Sequence, residues 1–326
     1  PLFSKYMNIT IDDGIQHIYR LVGTNNSIIE CFKNGNIFPV IISNFCNEFG
    51  YSWNIFYSPL TAYIPLIFKI FTNSYILSLK IYIWLSVFLS GIFMQKLVKN
   101  ISKSDIASVI SAIIYMSAPY HLTDIYTRMA VAEISVFVFL PMLFIGLHNL
   151  MHKKQKYGFY IVISASFLIL SHNILSLYTA IFSAIYILCN YKVLKNKETL
   201  KTILISIILI LLCTSFYWIP LLEHRFATEY EVFVENRMYN DNTLISTQLN
   251  LKELIYLEHN NFKLYIGLPI IIGVIITLFY INKLKKPLKK EVLVYIMLGI
   301  ISIFMVSTYS PIIHFPNTLK MIQFVW

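Results

Sequence analysis

Residues 201–221 read KTILISIILILLCTSFYWIPL, and from Thr202 to Leu222 no side chain carries a charge. An almost wholly apolar run of this length spans the roughly 30 Å hydrocarbon core of a bilayer as a helix. Lys192, Lys195, Lys197 and Lys201 precede it, and Glu223, His224 and Arg225 follow it. The same alternation of apolar run and charged hinge recurs along the chain. Read as helices, the runs cover about 75–95, 105–119, 131–150, 157–171, 173–190, 201–221, 262–282 and 289–308. The fold class this predicts is all-α: a polytopic transmembrane helix bundle of about eight helices.

Composition agrees with that pattern. Of 326 residues, 57% are hydrophobic and 13% charged, with a mean hydropathy of +0.66. A soluble domain carries roughly 25% charged residues, and even a large one buries only about 75% of the surface its unfolded chain exposes. So much apolar surface is incompatible with a water-soluble fold. Four cysteines are too few for a secreted disulfide scaffold. Cys189 and Cys213 lie inside apolar runs; Cys31 and Cys46 lie in a polar region, where spacing leaves their pairing open.

The net charge of +10 is topological rather than a nucleic-acid footprint. Fifteen of the 26 basic residues fall in four short hinges near 96–103, 153–156, 192–201 and 283–290. The positive-inside rule places these hinges in the cytoplasm of a multi-pass cell-membrane protein. The outer side then holds residues 1–72 and the loop 222–261, and most of the acids; only Asp105, Glu198 and Glu291 fall inside. All four arginines, Arg20, Arg128, Arg225 and Arg237, are external or at the external edge. Arginine is the better bidentate partner of phosphate and carboxylate, so this segregation points to an external anionic ligand, with four unrelated surface arginines as the plain alternative.

Residues 55–72 are apolar but short and contain Pro59 and Pro65. With 1–55 outside and Lys96 inside, one crossing suffices, and helix 75–95 supplies it. Residues 55–72 are therefore expected at the outer interface or re-entering, with Lys69 snorkelling. Lys80 is likewise expected to snorkel outward. The domains read as 1–72, an external first loop with juxtamembrane helices, and 73–326, the transmembrane bundle. Pro1 is no initiator, and residues 321–326 end in an apolar run, so a fragment lacking an N-terminal transmembrane helix and a C-terminal region is expected.

No Gly-rich phosphate loop, CxxC, HExxH or GxSxG pattern occurs, which leaves the outer loops to carry chemistry. In TIDDGIQHIYR, residues 10–20, Asp13, His17 and Arg20 share one helical face, and Ile15, Ile18 and Val22 form another, apolar one. This reads as an amphipathic helix lying on the membrane, with Asp12 or Asp13 either capping it beside Thr10 or doing chemistry. In residues 119–133, Asp124 and Arg128 are spaced to pair, worth only about 0.3–0.5 kcal/mol if exposed. Glu133 opens an apolar helix, where a lone carboxylate is costly though favoured by the helix N-terminus. Ser171-His172-Asn173 forms a tight external turn, and Trp218 to Glu223 marks a helix leaving the membrane. Turn caps and an aromatic belt are the plain readings of these last two.

Taken together, DDGIQHIYR at 12–20, GNIFP at 35–39, FGYSWNIFYSPLTAYIP at 49–65, DIYTRMAVAE at 124–133, Pro141, SHN at 171–173 and WIPLLE at 218–223 form an ordered set. The set resembles the bacterial polytopic proteins labelled 6-pyruvoyl-tetrahydropterin synthase-related, which are akin to the GT-C superfamily of membrane glycosyltransferases. Nothing in the chain suggests pterin chemistry. IQFVW at 322–326 resembles a QFPWR element with Val325 in place of proline. The resemblance implies a GT-C-like bundle acting at the outer face on a polyprenyl-phosphate-linked sugar, with an envelope glycan or lipid as acceptor. It implies a base at Asp13 or Asp12 and a donor-phosphate contact at Arg128 or Arg20. His17, Asp124, Glu133, His172 and Asn173 would position substrate, and a divalent metal ion is left open. A transporter or flippase of lipid-linked precursors, and a non-catalytic scaffold of the same fold, are the competing readings.

Overall fold

A computed structural model describes residues 13–35, 38–227 and 266–310. Among the described residues every regular element is helical, apart from one isolated bridge between Ile42 and Tyr51. The order is α1 (Gly14–Lys33), α2 (Trp53–Phe56), α3 (Leu60–Thr72), α4 (Tyr75–Ser102), α5 (Asp105–Met116), α6 (Pro119–Thr123), a π turn (Asp124–Arg128), α7 (Val131–Met151), α8 (Gly158–Ser171), α9 (Asn173–Cys189), α10 (Lys197–Ala227), α11 (Leu268–Tyr280) and α12 (Lys286–Val306). Each of the eight apolar runs overlaps one of these helices.

The chain divides into two compact units, the first formed by residues up to 117 and from 121 to 223. In it α4 packs against α5 and α7, α7 against α8, and α3 against α4. The described residues before 73 belong to this first unit. Leu21 of α1, Ala62 and Leu66 of α3, Leu79, Tyr82 and Ile83 of α4, and Met129, Val131 and Ile134 make one buried cluster. Tyr82 Oη and Ser135 Oγ, 2.6 Å apart, tie α4 to α7 inside it. The second unit contributes α11, a 3-10 turn at Ile281–Lys283, and α12.

Among the described residues three helices, Tyr75–Ser102, Val131–Met151 and Lys197–His224, are long and apolar enough to cross a membrane; α5 with the bent segment Pro119–Arg128 makes a fourth if the pair counts as one span. These are fewer than the eight crossings expected: α12 opens on Lys286, Lys289, Lys290 and Glu291, and the other helices are short. Helices α8, α9 and α11 have 14, 17 and 13 residues, and at about 1.5 Å per residue they fall short of a roughly 30 Å core. Helix α3, with 13 residues, is short as well. It buries Leu60, Thr61, Ala62, Pro65 and Leu66 and exposes Ile67, Ile70 and Phe71, so one face joins the bundle and the other is free to meet lipid. Lys69 lies over the Tyr75 ring.

One expectation is corrected. Lys80 does not snorkel outward: it is only 6% exposed, inside the packing of α4. Helix α1 turns its polar face into the protein, with His17, Arg20, Leu21, Thr24 and Ser27 buried and Ile15, Tyr19, Ile29 and Phe32 exposed, while Ile18 packs against the buried cluster. Cys31 and Cys46 are both free thiols.

Two of the four lysine-rich hinges lie together in the first unit. Gln155 Nε2 donates to Thr199 Oγ1 at 3.2 Å and Thr202 Oγ1 donates to Gln155 Oε1 at 3.1 Å, so the second and third lysine-rich turns adjoin. Glu133 and His172 stand at the opposite ends of α7 and α8 from these turns.

Candidate functional site

The cluster starts from the turn that follows α6. Asp124–Arg128 forms a single π turn, closed by Met129 in the left-handed region at φ 53°. Ala130 N donates to Asp124 O at 2.9 Å, which reverses the chain into α7. Isolated π turns and strained non-glycine residues concentrate at functional positions. The reversal places Arg128 between two carboxylates: Nη1 meets Asp124 Oδ1 at 2.9 Å and Nη2 meets Glu133 Oε1 at 2.8 Å. The Asp124 side chain is fully buried, Glu133 is 12% exposed and Arg128 20%. The Asp124–Arg128 pair is thus no solvated surface pair, and Arg128 is the cation that balances Glu133 too. Asp124 Oδ2 is buried without a hydrogen-bond partner.

The first external segment closes on this turn. Asp13 N donates to Arg128 O at 3.1 Å. Asp13 occupies the N-cap position of α1, yet its side chain makes no capping hydrogen bond, so capping does not account for the carboxylate. Asp12, the companion candidate, lies outside the described residues, as do Thr10, most of the 222–261 loop and the IQFVW segment.

Four residues into α1, His17 is buried with its ring edge-on to Tyr57 at 5.8 Å and its Nε2 without a hydrogen-bond partner. Burial, aided by the Arg20 charge, holds its pKa down to about 3, so the imidazole is neutral. One turn on, Arg20 is buried. Its Nη1 donates to Thr61 Oγ1 at 2.8 Å, its Nη2 to Tyr57 O at 2.9 Å and Ser58 O at 2.7 Å, and its guanidinium stacks 4.5 Å from the Tyr57 ring centroid. Burial lowers its pKa to about 10, still a cation at neutral pH. The Nη atoms of Arg20 and its planar face thus hold the α2–α3 connection, and His17 and Arg20 both pack on Tyr57.

Tyr57 is where the charges meet. Burial pushes its phenol well above the ordinary range; Arg20 and Arg128 oppose the shift, while Asp13 and Glu133 add to it. His172 senses the same pair. Burial lowers its pKa, Glu133 raises it and Arg128 lowers it. Its Nδ1 accepts from Leu175 N at 3.2 Å, the N-cap bond of α9, which assigns the proton of the neutral ring to Nε2. Asn173 is a junction: Oδ1 accepts from Ser58 Oγ and from Tyr217 Oη at 2.7 Å, and Nδ2 donates to Phe56 O at 3.3 Å. Residues 56–58, Ala132, Ser171, His172, Asn173 and Ile174 enclose a cavity of about 150 Å³.

A second cavity of about 320 Å³ adjoins this polar cluster. Its walls come from α7, α8, α9 and α10, chiefly leucine and isoleucine side chains such as Leu143, Leu168, Ile187 and Ile207. The hydroxyls on its α9 wall, Ser176, Thr179 and Ser183, donate to carbonyls of their own helix and leave the lining apolar. Ile169 lines this cavity while its carbonyl accepts from Ser58 Oγ at 3.0 Å, which joins the two sites.

The structure therefore gathers Asp13, Arg128, Asp124, Glu133, His172 and Asn173 around Tyr57. Tyr57, Ser58, Thr61 and Tyr217 belong to the site and carry no signal of their own in the sequence. The only pointer to the first three is that FGYSWNIFYSPLTAYIP forms part of the ordered motif set.

A family model described as 6-pyruvoyl-tetrahydropterin synthase related domain, membrane protein, matches residues 55–326. Asp13, His17 and Arg20 precede the match; the other site residues lie within it. An uncharacterized protein of Lactococcus lactis subsp. cremoris (strain MG1363) is 25% identical over 292 residues, which cover 86% of this chain and 47% of the relative. The chain thus spans about half the length of that relative. No solved structure matches the chain.

Proposed function

The chain belongs to the 6-pyruvoyl-tetrahydropterin synthase-related family of membrane proteins, and from that premise we propose that it is a glycosyltransferase-like enzyme of the GT-C type. It transfers a sugar from a polyprenyl-phosphate donor to an envelope glycan or lipid acceptor at the outer membrane face. One observation carries this reading: the polar residues around Tyr57, where the charges of Asp13 and Arg128 are felt, connect through Ser58 and Ile169 to a hydrocarbon-lined cavity among apolar helices. Such a juxtaposition suits a ligand with a charged, reacting head and a long apolar tail, the chain resting in the 320 Å³ cavity.

In the proposed reaction an acceptor hydroxyl attacks the anomeric carbon of the donor sugar, and the Asp13 carboxylate takes its proton. The bond from the anomeric carbon to the phosphate oxygen breaks, and the lipid phosphate leaves with the electron pair. Charge on the leaving phosphate is stabilised by Arg128, which Asp124 and Glu133 hold in place. His172 and Asn173 line the cavity beside it, and Arg20 acts through Tyr57 as a positioning residue.

The flippase reading draws on one feature, the buried Lys80 of a membrane-length helix. A single assay separates the two. Proteoliposomes carrying the full chain receive donor and acceptor on the outer side, so that no flipping is needed. Wild type should transfer sugar, and Asp13→Asn should lose about 10²–10⁴-fold in rate with insertion intact. Full activity in the Asp12/Asp13 double variant would remove the proposed base, and lipid flipping without any transfer would install the transporter reading.

A further inference from the structure

Beyond the charged cluster, the first external segment holds a third cavity, of about 580 Å³, with a different chemistry. Among the described residues five rings line it, Phe45, Tyr51, Trp53, Phe56 and Tyr57, together with the Gln16 amide and the exposed Cys46, and no ionised side chain does. Trp53 stands edge to face with Tyr51 at 5.8 Å and 87°, and Phe45 leans on Trp53 at 5.3 Å, so the rings form a corner rather than a stacked column. Tyr51 is 44% exposed and Phe56 36%.

The backbone that carries the rings is fixed. Ile42 and Tyr51 exchange both hydrogen bonds of an antiparallel pair, at 2.9 and 3.1 Å. Between them Cys46, Asn47 and Glu48 all sit at positive φ, and Gly50, at φ 82°, takes a conformation that suits glycine. Gly23 allows this loop to approach α1: a Cβ there would meet Ile42 Cγ2 at 2.7 Å and the Phe45 ring at 3.0 Å. On the other side Arg20 pins Tyr57. Three consecutive non-glycine residues at positive φ are costly and persist where the surroundings fix them, a pattern associated with binding sites.

Phe56 and Tyr57 are shared by this cavity and the 150 Å³ cavity beside His172, and Gln16 lies three residues along α1 from Asp13. The aromatic cavity therefore lies within about one helical turn of Asp13, whose carboxylate is proposed as base. Its lining also contrasts with that of the 320 Å³ cavity, which is aliphatic and lies among apolar helices. Rings mixed with an amide and phenol hydroxyls suit a ligand whose faces alternate apolar C–H patches with hydroxyls. Seven described lining residues without a charge favour a neutral ligand over a phosphate or carboxylate. A volume of 580 Å³ lies within the roughly 300–1,000 Å³ range of ligand pockets. We infer that this cleft binds a neutral saccharide by stacking on Tyr51 and Trp53, and that the saccharide is the acceptor. Its acceptor role rests on the transferase reading; the binding itself does not.

The test reads binding without turnover. The full chain in nanodiscs is mixed with millimolar chitotetraose, maltotetraose or α-linked mannotetraose, and saturation transfer from protein to sugar ring protons is recorded by NMR. At least one tetrasaccharide should be saturated. Its affinity should fall about tenfold on Tyr51→Ala or Trp53→Ala and hold on Trp84→Ala, whose ring stacks on Phe88 of α4 elsewhere. If Trp53→Ala fails to fold, Tyr51→Ala alone decides, because its exposed ring is removed while its backbone bridge remains. Absence of transfer to all three sugars, or affinity unchanged in Tyr51→Ala, overturns the inference. So does Trp53-dependent binding of choline in place of sugar, since aromatic cages also take quaternary ammonium groups. Binding intact with no sugar transfer in the proteoliposome assay would sink the transferase reading and leave the cleft standing; transfer intact without binding would do the reverse.

Discussion

His17 sets a pH dependence whose sign and size follow from its burial. The imidazole is 5% exposed, lies edge-on to Tyr57 and has Arg20 one turn away. Folded, it takes a proton only near pH 3; unfolded, near pH 6.5. The unfolded chain therefore binds more protons between these values, and stability falls as pH drops below about 6.5, with the loss continuing to about pH 3. Each pH unit in that window costs about 1.4 kcal/mol, or about 2 kcal/mol by pH 5. Replacing His17 by Phe keeps the ring contact with Tyr57 and removes both the titrating group and the unpartnered Nε2. Chemical unfolding of the detergent-solubilised chain, followed by circular dichroism at pH 8 and at pH 5, compares the two proteins. At pH 8 they should agree within about 1.5 kcal/mol, as volume-conserving swaps do. At pH 5 the variant should have gained about 2 kcal/mol relative to wild type. Other titrating groups, His172 among them, are common to both and cancel in the difference. A wild-type-minus-variant difference that stays constant from pH 8 to pH 5 would refute the claim that His17 is held neutral by burial.

Three further outcomes are expected. Arg128→Met should destabilise the chain by about 3 kcal/mol, because two largely buried carboxylates lose their cation, and Arg128→Lys should recover only part, since a point charge cannot fork between Asp124 and Glu133; both are read by chemical unfolding at pH 7. Asn173→Ala should cost about 1–3 kcal/mol by leaving Ser58 and Tyr217 without their shared acceptor, whereas Tyr217→Phe should cost about 1 kcal/mol, and the double variant should fall short of the sum of the two in a mutant cycle. In a cysteine-free background, single cysteines introduced at 96–104, 151–156 or 282–291 should resist an impermeant thiol reagent in intact cells and those at 225–260 should react; labelling of the lysine-rich hinges from outside would overturn the sidedness.

How much of this was legible in the sequence depends on the range of the interactions involved. Apolar runs mark helices because lipid-facing and core positions alike demand hydrocarbon, so α4, α7 and α10 fall where their runs do. The Asp124–Arg128 pair was legible too, since i, i+4 spacing is nearly preserved through a π turn. Glu133 as the second partner was not: it depends on the left-handed Met129, whose side chain gives no warning of a reversal. Asn173 meets Ser58 across 115 residues and Tyr217 across 44, distances over which no periodicity carries information.

Helix α1 exposes a subtler limit. Its polar face was legible in the spacing of Asp13, His17 and Arg20, but that this face turns inward was not, because that depends on what the neighbours offer, and of the apolar face read as Ile15, Ile18 and Val22 only Ile15 is exposed. In water the apolar face would be buried. Here the α2–α3 connection presents the carbonyls of Tyr57 and Ser58 and the Thr61 hydroxyl, all of which accept from Arg20. A buried guanidinium is tolerable only when such acceptors surround it, and an outward apolar face is tolerable only beside lipid. Both conditions hold at once for a helix wedged between a membrane surface and a polar connection. The orientation of α1 is therefore itself an argument that Ile15, Tyr19, Ile29 and Phe32 meet the bilayer. A consequence is open to direct measurement. Brominated lipids should quench a tryptophan placed at Tyr19 and leave one placed at Gln16, on the side of the aromatic cleft, largely unquenched. Equal quenching at both positions would mean that α1 does not lie on the membrane by its apolar face.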